Sequence, residues 1–288
     1  MLQKSLEKLI RLKKISHRRA FQLLGMLRRN SVYAYWPDVE INFGDLLNPV
    51  LMCHYGMTPI RTPHKSAEVI ALGSVLQWID DEFNGFIAGA GLISDIKKPL
   101  LNAKILAVRG KLTRDRVGAS EDTILGDPGL LVSKIFKQNL KKNYSLGLVP
   151  HYVDKEDPRL IKICDKYPND VLFIDVQRKP KKVITDIIKC QHILSSSLHG
   201  LITADSYQIP SGWLLLSDAV IGKGFKFFDY ASAFDEKIYP NNIYGSETLS
   251  ELIKLTKRRV SGLSDIQENL DNVFFNLSRT IADLRKNI

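Results

Sequence analysis

Short apolar runs that end in glycine recur along the middle of this chain. Glu68-Val69-Ile70-Ala71-Leu72-Gly73-Ser74, Phe86-Ile87-Ala88-Gly89-Ala90-Gly91, Ile105-Leu106-Ala107-Val108-Arg109-Gly110 and Ile124-Leu125-Gly126-Asp127-Pro128-Gly129 each read as a strand running into a turn. After the third run the spacing turns helical, with Leu112, Arg116 and Val117 on one face. Apolar residues fill these runs without alternating with polar ones, as strands covered on both faces of a parallel sheet require. Upstream, residues 32–36 read as a further strand. It leads through the loop Asn42-Phe43-Gly44-Asp45 into an apolar helix over 46–55, which Asp45 is placed to cap or to sit beside.

A lysine-rich stretch over 134–144 reads as a linker, after which the pattern restarts. Strands are expected over 144–150, 171–176, 192–196 and 211–216, with a helix near 180–189. A turn over 197–200 opens a helix through Ile202, Ala204 and Tyr207. Helical texture runs from 246 to the end, including an amphipathic stretch over 266–284. The predicted fold class is α/β: two Rossmann-like lobes facing a cleft, an architecture called GT-B, with an N-terminal helical arm and C-terminal helices. The expected divisions are a basic arm over 1–30, an N-terminal lobe over 31–138, a C-terminal lobe over 139–260 and a closing helix over 261–288. In open parallel sheets ligands bind beyond the carboxyl ends of the strands, so the cleft between the lobes is the expected site.

A chain of 288 residues, 44% of them hydrophobic, suffices for about two domains with substantial cores. No apolar run approaches the roughly 20 residues that cross a bilayer. The first residues do not read as a secretory signal. Cys53, Cys164 and Cys190 are widely spaced, which fits reduced thiols in a cytoplasm. The net charge of +10 is concentrated: residues 1–30 hold nine Lys or Arg against Glu7 alone, a balance of +8 that leaves +2 for the rest. With Leu2, Leu6, Leu9 and Ile10 on one stripe, this arm reads either as a solvated helical face or as a peripheral contact with an anionic membrane surface. No interleaved aromatic pattern supports nucleic acid as a partner.

Candidate chemistry lies at strand ends. Ser195-Ser196-Ser197-Leu198-His199-Gly200 places a histidine at a strand-to-helix turn. Imidazole suits proton transfer near neutral pH, and the following helix offers free N–H groups to an anion. A purely structural histidine is the competing reading. Arg109 ends a strand and can fork onto a carboxylate or phosphate, or form an ordinary ion pair. Lys226 stands among aromatics in Gly222-Lys223-Gly224-Phe225-Lys226-Phe227, with Lys223 as competitor. Gly89 and Gly91 permit close backbone approach to a ligand, Asp45 is the best-placed carboxylate base, and Asn42 and His151 stand at further cleft positions. The 126–129 stretch reads as a turn. No spacing of Cys, His, Asp or Glu suggests a metal site.

In order along the chain, Asn42-Phe43-Gly44-Asp45, Gly89-Ala90-Gly91, Val108-Arg109-Gly110, Gly126-Asp127-Pro128, Gly147-Leu148-Val149-Pro150-His151-Tyr152, the 195–200 stretch and Gly224-Phe225-Lys226 resemble the polysaccharide pyruvyl transferase family, over about residues 32–235. The resemblance implies a GT-B-like fold and a cofactor- and metal-independent transfer from phosphoenolpyruvate to a sugar with two nearby hydroxyls, giving a pyruvate ketal. It further implies that Arg109 holds the donor's phosphate or carboxylate, that Leu198 shapes the donor pocket with Ser197 and Gly200 beside it, and that Lys226 is a further anion contact. His199 would donate or accept the proton. Many members carry Arg where this chain has Ser197, which removes one guanidinium from the donor site. The acceptor would belong to a surface polysaccharide or a lipid-linked oligosaccharide precursor, and the enzyme would be cytoplasmic, peripheral to the inner membrane face. A nucleotide-sugar glycosyltransferase and a non-catalytic glycan-binding relative are the competing readings.

Overall fold

The computed structural model of the protein describes residues 30–38 and 40–286. Two parallel sheets stand side by side. The first has six strands: β1 (Ser31–Ala34), β2 (Thr58–Arg61), β3 (Val69–Ile70), β4 (Phe86–Ala88), β5 (Lys104–Val108) and β6 (Ile124–Leu125), in the order β2-β1-β3-β4-β5-β6. The second has four: β7 (Tyr144–Val149), β8 (Val171–Phe173), β9 (Cys190–Ser195) and β10 (Ser211–Trp213), in the order β10-β9-β7-β8. Every pairing within the sheets is parallel. Val69, Ile70, Ile87, Leu146, Leu148, Ile193 and Leu194 are fully buried, which explains the unbroken apolar runs of the sequence.

The helices of the described residues are α1 (Leu47–His54), α2 (Lys111–Val117), the single turn α3 (Val132–Ile135), α4 (Pro158–Lys166), α5 (Pro180–Ile188), α6 (Leu198–Ser206), α7 (Phe225–Ser232), α8 (Leu249–Lys254) and α9 (Leu263–Lys286). Their starts follow local chemistry. Asp157 accepts the Arg159 amide ahead of Pro158, and Thr248 with Glu251 forms a capping box for α8. The two predicted arm helices lie outside the described residues. The last predicted strand stops at Trp213 rather than continuing to 216, and β2 and α7 were not anticipated. Asp45 does not cap α1, whose N-cap is Leu46 and carries no side-chain cap.

Two elements tie the lobes together. Helix α9 returns to the first lobe: Arg285 binds Glu68 at 2.6 Å, and Ile266 and Leu270 pack over Gly126. Helix α7, which follows the last strand of the second sheet, docks on α2 of the first lobe. There Arg109 and Asp229, both side chains fully buried, form an ion pair at 2.8 Å. Asp229 also accepts the amide and hydroxyl of Thr113, each at 2.7 Å. Gly110 makes this approach feasible, because a Cβ there would stand 1.7 Å from the Asp229 carbonyl oxygen.

Removing one member of a buried pair strands the other charge away from water, at a cost of about 3–5 kcal/mol. Asp229→Ala is therefore expected to lose stability on that scale in urea denaturation. A loss under about 1 kcal/mol would contradict the clamp role.

Candidate active site

The order of each sheet reverses once, between β1 and β3 in the first and between β7 and β9 in the second. These reversals open crevices at the carboxyl ends of the strands. The two crevices face each other across a cavity of about 280 Å3. Pro37, Glu40, Asn42 and Asp45 follow β1, and Ser74 and Val75 follow β3. His151 and Tyr152 follow β7, and Ser197, Leu198 and His199 follow β9. Lys226 enters from α7, and Trp78, Ile93 and Ile221 complete the rim.

The loop over 42–45 joins the two halves. The Phe43 amide donates to the Val176 carbonyl of the second lobe at 2.8 Å. Gly44 lies so close to the histidine that a Cβ would sit 2.1 Å from His199 Nδ1. The Phe43 ring meets the imidazole edge-on at 6.4 Å. Asn42 donates to the Asp45 carboxylate, and the Asp45 amide donates back to Asn42 Oδ1 at 3.1 Å, so the carboxylate is held at the cavity wall. Burial pushes the Asp45 carboxyl up to about 6, with Asn42 and the Lys226 charge pulling back.

Lys226 is 7% exposed and makes no hydrogen bond or ion pair among the described residues; its ammonium lies 5.6 Å from the Phe227 ring centre. Burial and the Arg109 charge lower its pKa to about 8, so it is still mostly a cation at neutral pH. His199 is lowered to about 3 by burial first, then by Lys226, Arg109 and His151. His151, its ring tilted against Tyr152 at 4.3 Å, is lowered to about 3 by burial and by Lys226. Both imidazoles are therefore neutral at pH 7, and the charged side chains lining the cavity are the buried Lys226 ammonium and the Glu40 and Asp45 carboxyl groups.

His199 Nε2, on a side chain lining the cavity, and Asp127 Oδ2, on a side chain outside that lining, are among the buried polar atoms with no hydrogen-bond partner among the described residues. Such atoms cost about 1–3 kcal/mol each. The other Asp127 oxygen accepts the Gly129 amide at 2.8 Å, as a turn requires, while burial raises its carboxyl to about 6.

Of the residues singled out in the sequence, Asn42, Asp45, His151, Ser197, Leu198, His199 and Lys226 line the cavity together. Arg109 does not. Its Nε binds Asp229, its Nη1 donates to Ser74 Oγ at 2.6 Å and its Nη2 to the Leu92 carbonyl, so the guanidinium stands behind Ser74 with its donors engaged. Gly91 packs on that guanidinium, Gly89 on Pro128, and Gly200 on Ser195 and Val149; all three serve close packing behind the wall. Lys223 is exposed and lines a different cavity. Sequence reading passed over Ser74, Trp78 and Asp229. Only Asp229 left a trace, a charge at i+3 from Lys226 inside an otherwise aromatic run. Among the described residues no cluster of three or more His, Cys, Asp or Glu is placed to hold a metal, and no helix is long and apolar enough to cross a membrane.

The molecule is thus a two-lobed parallel α/β protein with a cleft at the strand switch points that gathers a buried lysine, two histidines and two carboxyl groups. Residues 69–218 match the model of the polysaccharide pyruvyl transferase family, more than half of the chain, and the chain belongs to that family. Membership assigns it to the pyruvyltransferases, with a role in polysaccharide modification. It is similar to the succinoglycan biosynthesis protein ExoV of Rhizobium meliloti (strain 1021), 27% identical over 76% of this chain and 70% of that one. It is also similar to the protein L143 of Acanthamoeba polyphaga mimivirus, 29% identical over 72% of this chain and 75% of that one. Among solved structures it is similar to the wall teichoic acid polymerase TagF, with a TM-score of 0.42 and 11% identity over 100% of this chain and 98% of that one. Another is the UDP-GlcNAc 2-epimerase of Methanocaldococcus jannaschii, with a TM-score of 0.40 and 10% identity over 81% of this chain and 80% of that one.

Gly44→Ala would drive a methyl into the imidazole and displace it. A misplacement of about 1 Å costs on the order of 100-fold in rate, so turnover should fall to that extent, with the His199 ring signals shifted in NMR spectra. Unchanged ring signals would show that the loop does not hold His199.

Proposed function

We propose that the protein transfers the pyruvyl group of phosphoenolpyruvate to two neighbouring hydroxyls of a sugar in a surface polysaccharide or its lipid-linked precursor. The observation that carries this reading is Lys226, a desolvated cation without a hydrogen-bond partner among the described residues, facing Asp45 and His199 across one small cavity. A trianionic donor supplies the missing counter-charge. Its phosphate or carboxylate is met by Lys226 and by the first amides of α6, at Leu198 and His199, which have no partner one turn back. Arg109 stays behind Ser74, where its charge adds to the field of the cleft without a direct contact.

Neutral His199 gains basicity as the anion arrives, because negative charge beside an imidazole favours its protonated form. It then delivers a proton to the methylene carbon of the donor, which leaves C2 electrophilic. A sugar hydroxyl adds to C2 as Asp45 accepts its proton. The bond from C2 to the phosphate oxygen breaks, and the second hydroxyl closes the ketal with its proton leaving on phosphate. Asp45 then passes its proton to solvent and His199 takes one up before the next turnover, so over a cycle the two hydroxyl protons are balanced by one in the new methyl group and one on phosphate. The residues in the cleft provide the proton transfers and the charge this requires, with no cofactor. For a lipid-linked acceptor, the basic arm over 1–30 would bring the enzyme to the inner membrane face.

The test begins with donor binding. Phosphoenolpyruvate should raise the melting temperature of the wild type and not of Lys226→Met, whereas stabilisation by UDP- or GDP-sugars alone would replace this reading with a glycosyltransferase. His199→Ala should lose roughly 10²–10⁴-fold in turnover, and near-wild-type turnover would remove the proton-transfer role. In the wild type kcat/KM should rise through about pH 6 as Asp45 ionises, and fall above about pH 8 as Lys226 loses its proton. A profile flat from pH 5 to 9 would exclude both assignments.

A further inference from the structure

A second, larger cavity of about 520 Å3 opens beside the cleft, beyond the carboxyl end of β10. Its walls are mostly apolar. Trp213 lies stacked on Phe227 at 4.3 Å and meets Phe228 edge-on at 5.4 Å; Phe228 is 39% exposed, and Leu215 and Val220 face them. The polar groups at its edge are the Asp154 and Asp218 carboxylates, the Ser217 hydroxyl and Lys223.

Residues adjacent in sequence line the two cavities, which places a common wall between them. Val220 lines one and Ile221 the other; Ser196 lines one and Ser197 the other. The wall is rigid. Ser196 donates to Asp154 at 2.7 Å and accepts the His151 amide at 2.9 Å, while Ser217 binds the other Asp154 oxygen. The turn Gly222-Lys223-Gly224 holds three consecutive residues at positive φ (94°, 47° and 82°), the middle one without glycine's freedom. It also abuts the opposite lobe, since a Cβ at Gly222 would lie 1.8 Å from the Ile93 carbonyl oxygen. Backbone strain at a partition between two cavities, braced from both lobes, is the kind that surrounding structure retains for function.

Resting on the pyruvyl transfer proposed above, we propose that this second cavity is the subsite for the neutral sugar residue next to the one that receives the pyruvyl group. A pyranose has an apolar face of C–H bonds and a rim of hydroxyl donors. Aromatic walls match the face, and the exposed Asp218 carboxylate at the edge matches the donors. The lysine at this cavity, Lys223, is exposed to water, whereas the buried Lys226 ammonium of the cleft is desolvated, so the anionic donor is drawn to the cleft and the glycan is left this side. A glycan bound here presents its next residue across the shared wall towards Asp45 and His199.

The full chain is titrated with a panel of neutral disaccharides (cellobiose, lactose, gentiobiose and maltose), followed by tryptophan fluorescence and saturation-transfer NMR. Methyl and octyl β-glucoside are run beside them, and thermal stabilisation by phosphoenolpyruvate is recorded for each protein. The expected result is that at least one disaccharide binds the wild type, and binds Phe228→Ala and Val220→Arg at least tenfold more weakly. Stabilisation by phosphoenolpyruvate should persist in both variants. Three outcomes would overturn the subsite: no disaccharide binds while phosphoenolpyruvate does, binding is unchanged in both variants, or octyl glucoside alone binds, which would make the cavity an alkyl pocket. Failure of phosphoenolpyruvate to stabilise the wild type would remove the donor reading, and the disaccharide comparison between wild type and variants would still decide whether the cavity takes sugar.

Discussion

The site depends on one buried ion pair, Arg109 with Asp229, which joins the end of β5 in the first lobe to α7 from the second. Asp229 sits three residues after Lys226 on that helix, so both project from the same face. Fixing Asp229 against Arg109 and Thr113 therefore fixes where the Lys226 ammonium emerges. Together with the Lys111 amide, which donates to Ser232 Oγ at 2.8 Å, that clamp sets the register of α7 on the first lobe and so the place of the only buried lysine among the described residues.

The same pair sets the electrostatics. Arg109 lies behind the wall with its donors engaged, yet its charge helps depress both Lys226 and His199. A side chain need not touch a ligand to prepare a site for it, because charge acts over several ångströms in a poorly solvated interior. The cleft that results holds a cation lacking a partner among the described residues, two neutral imidazoles and a carboxyl group near the middle of its titration at pH 6. The neighbouring cavity differs in its aromatic walls, Trp213, Phe227 and Phe228.

The fold was legible because parallel strands buried on both faces must be short, apolar and punctuated by turns, and that pattern survives in one dimension. Where the periodicity weakens, the reading failed. β2 begins Thr58-Pro59, which reads as a loop, and α7 is an aromatic run, Phe225-Lys226-Phe227-Phe228, that gives no clean helical stripe because it is buried between lobes. Seven of the candidate residues gathered in the cleft because strand ends face one side of each sheet. Arg109 and three glycines were placed at the correct edge, but a strand end does not reveal whether the next side chain turns to the ligand or into the packing behind it.

By itself, then, the sequence determined the class of fold, the edge of each sheet that carries chemistry, and the family, since the order of its motifs is a one-dimensional property. Only tertiary structure decided which cations face the cleft, that the two histidines there are neutral, and that a second cavity adjoins it. Those outcomes depend on burial and on contacts between residues more than a hundred positions apart, such as Arg109 with Asp229, and neither quantity is written in local spacing.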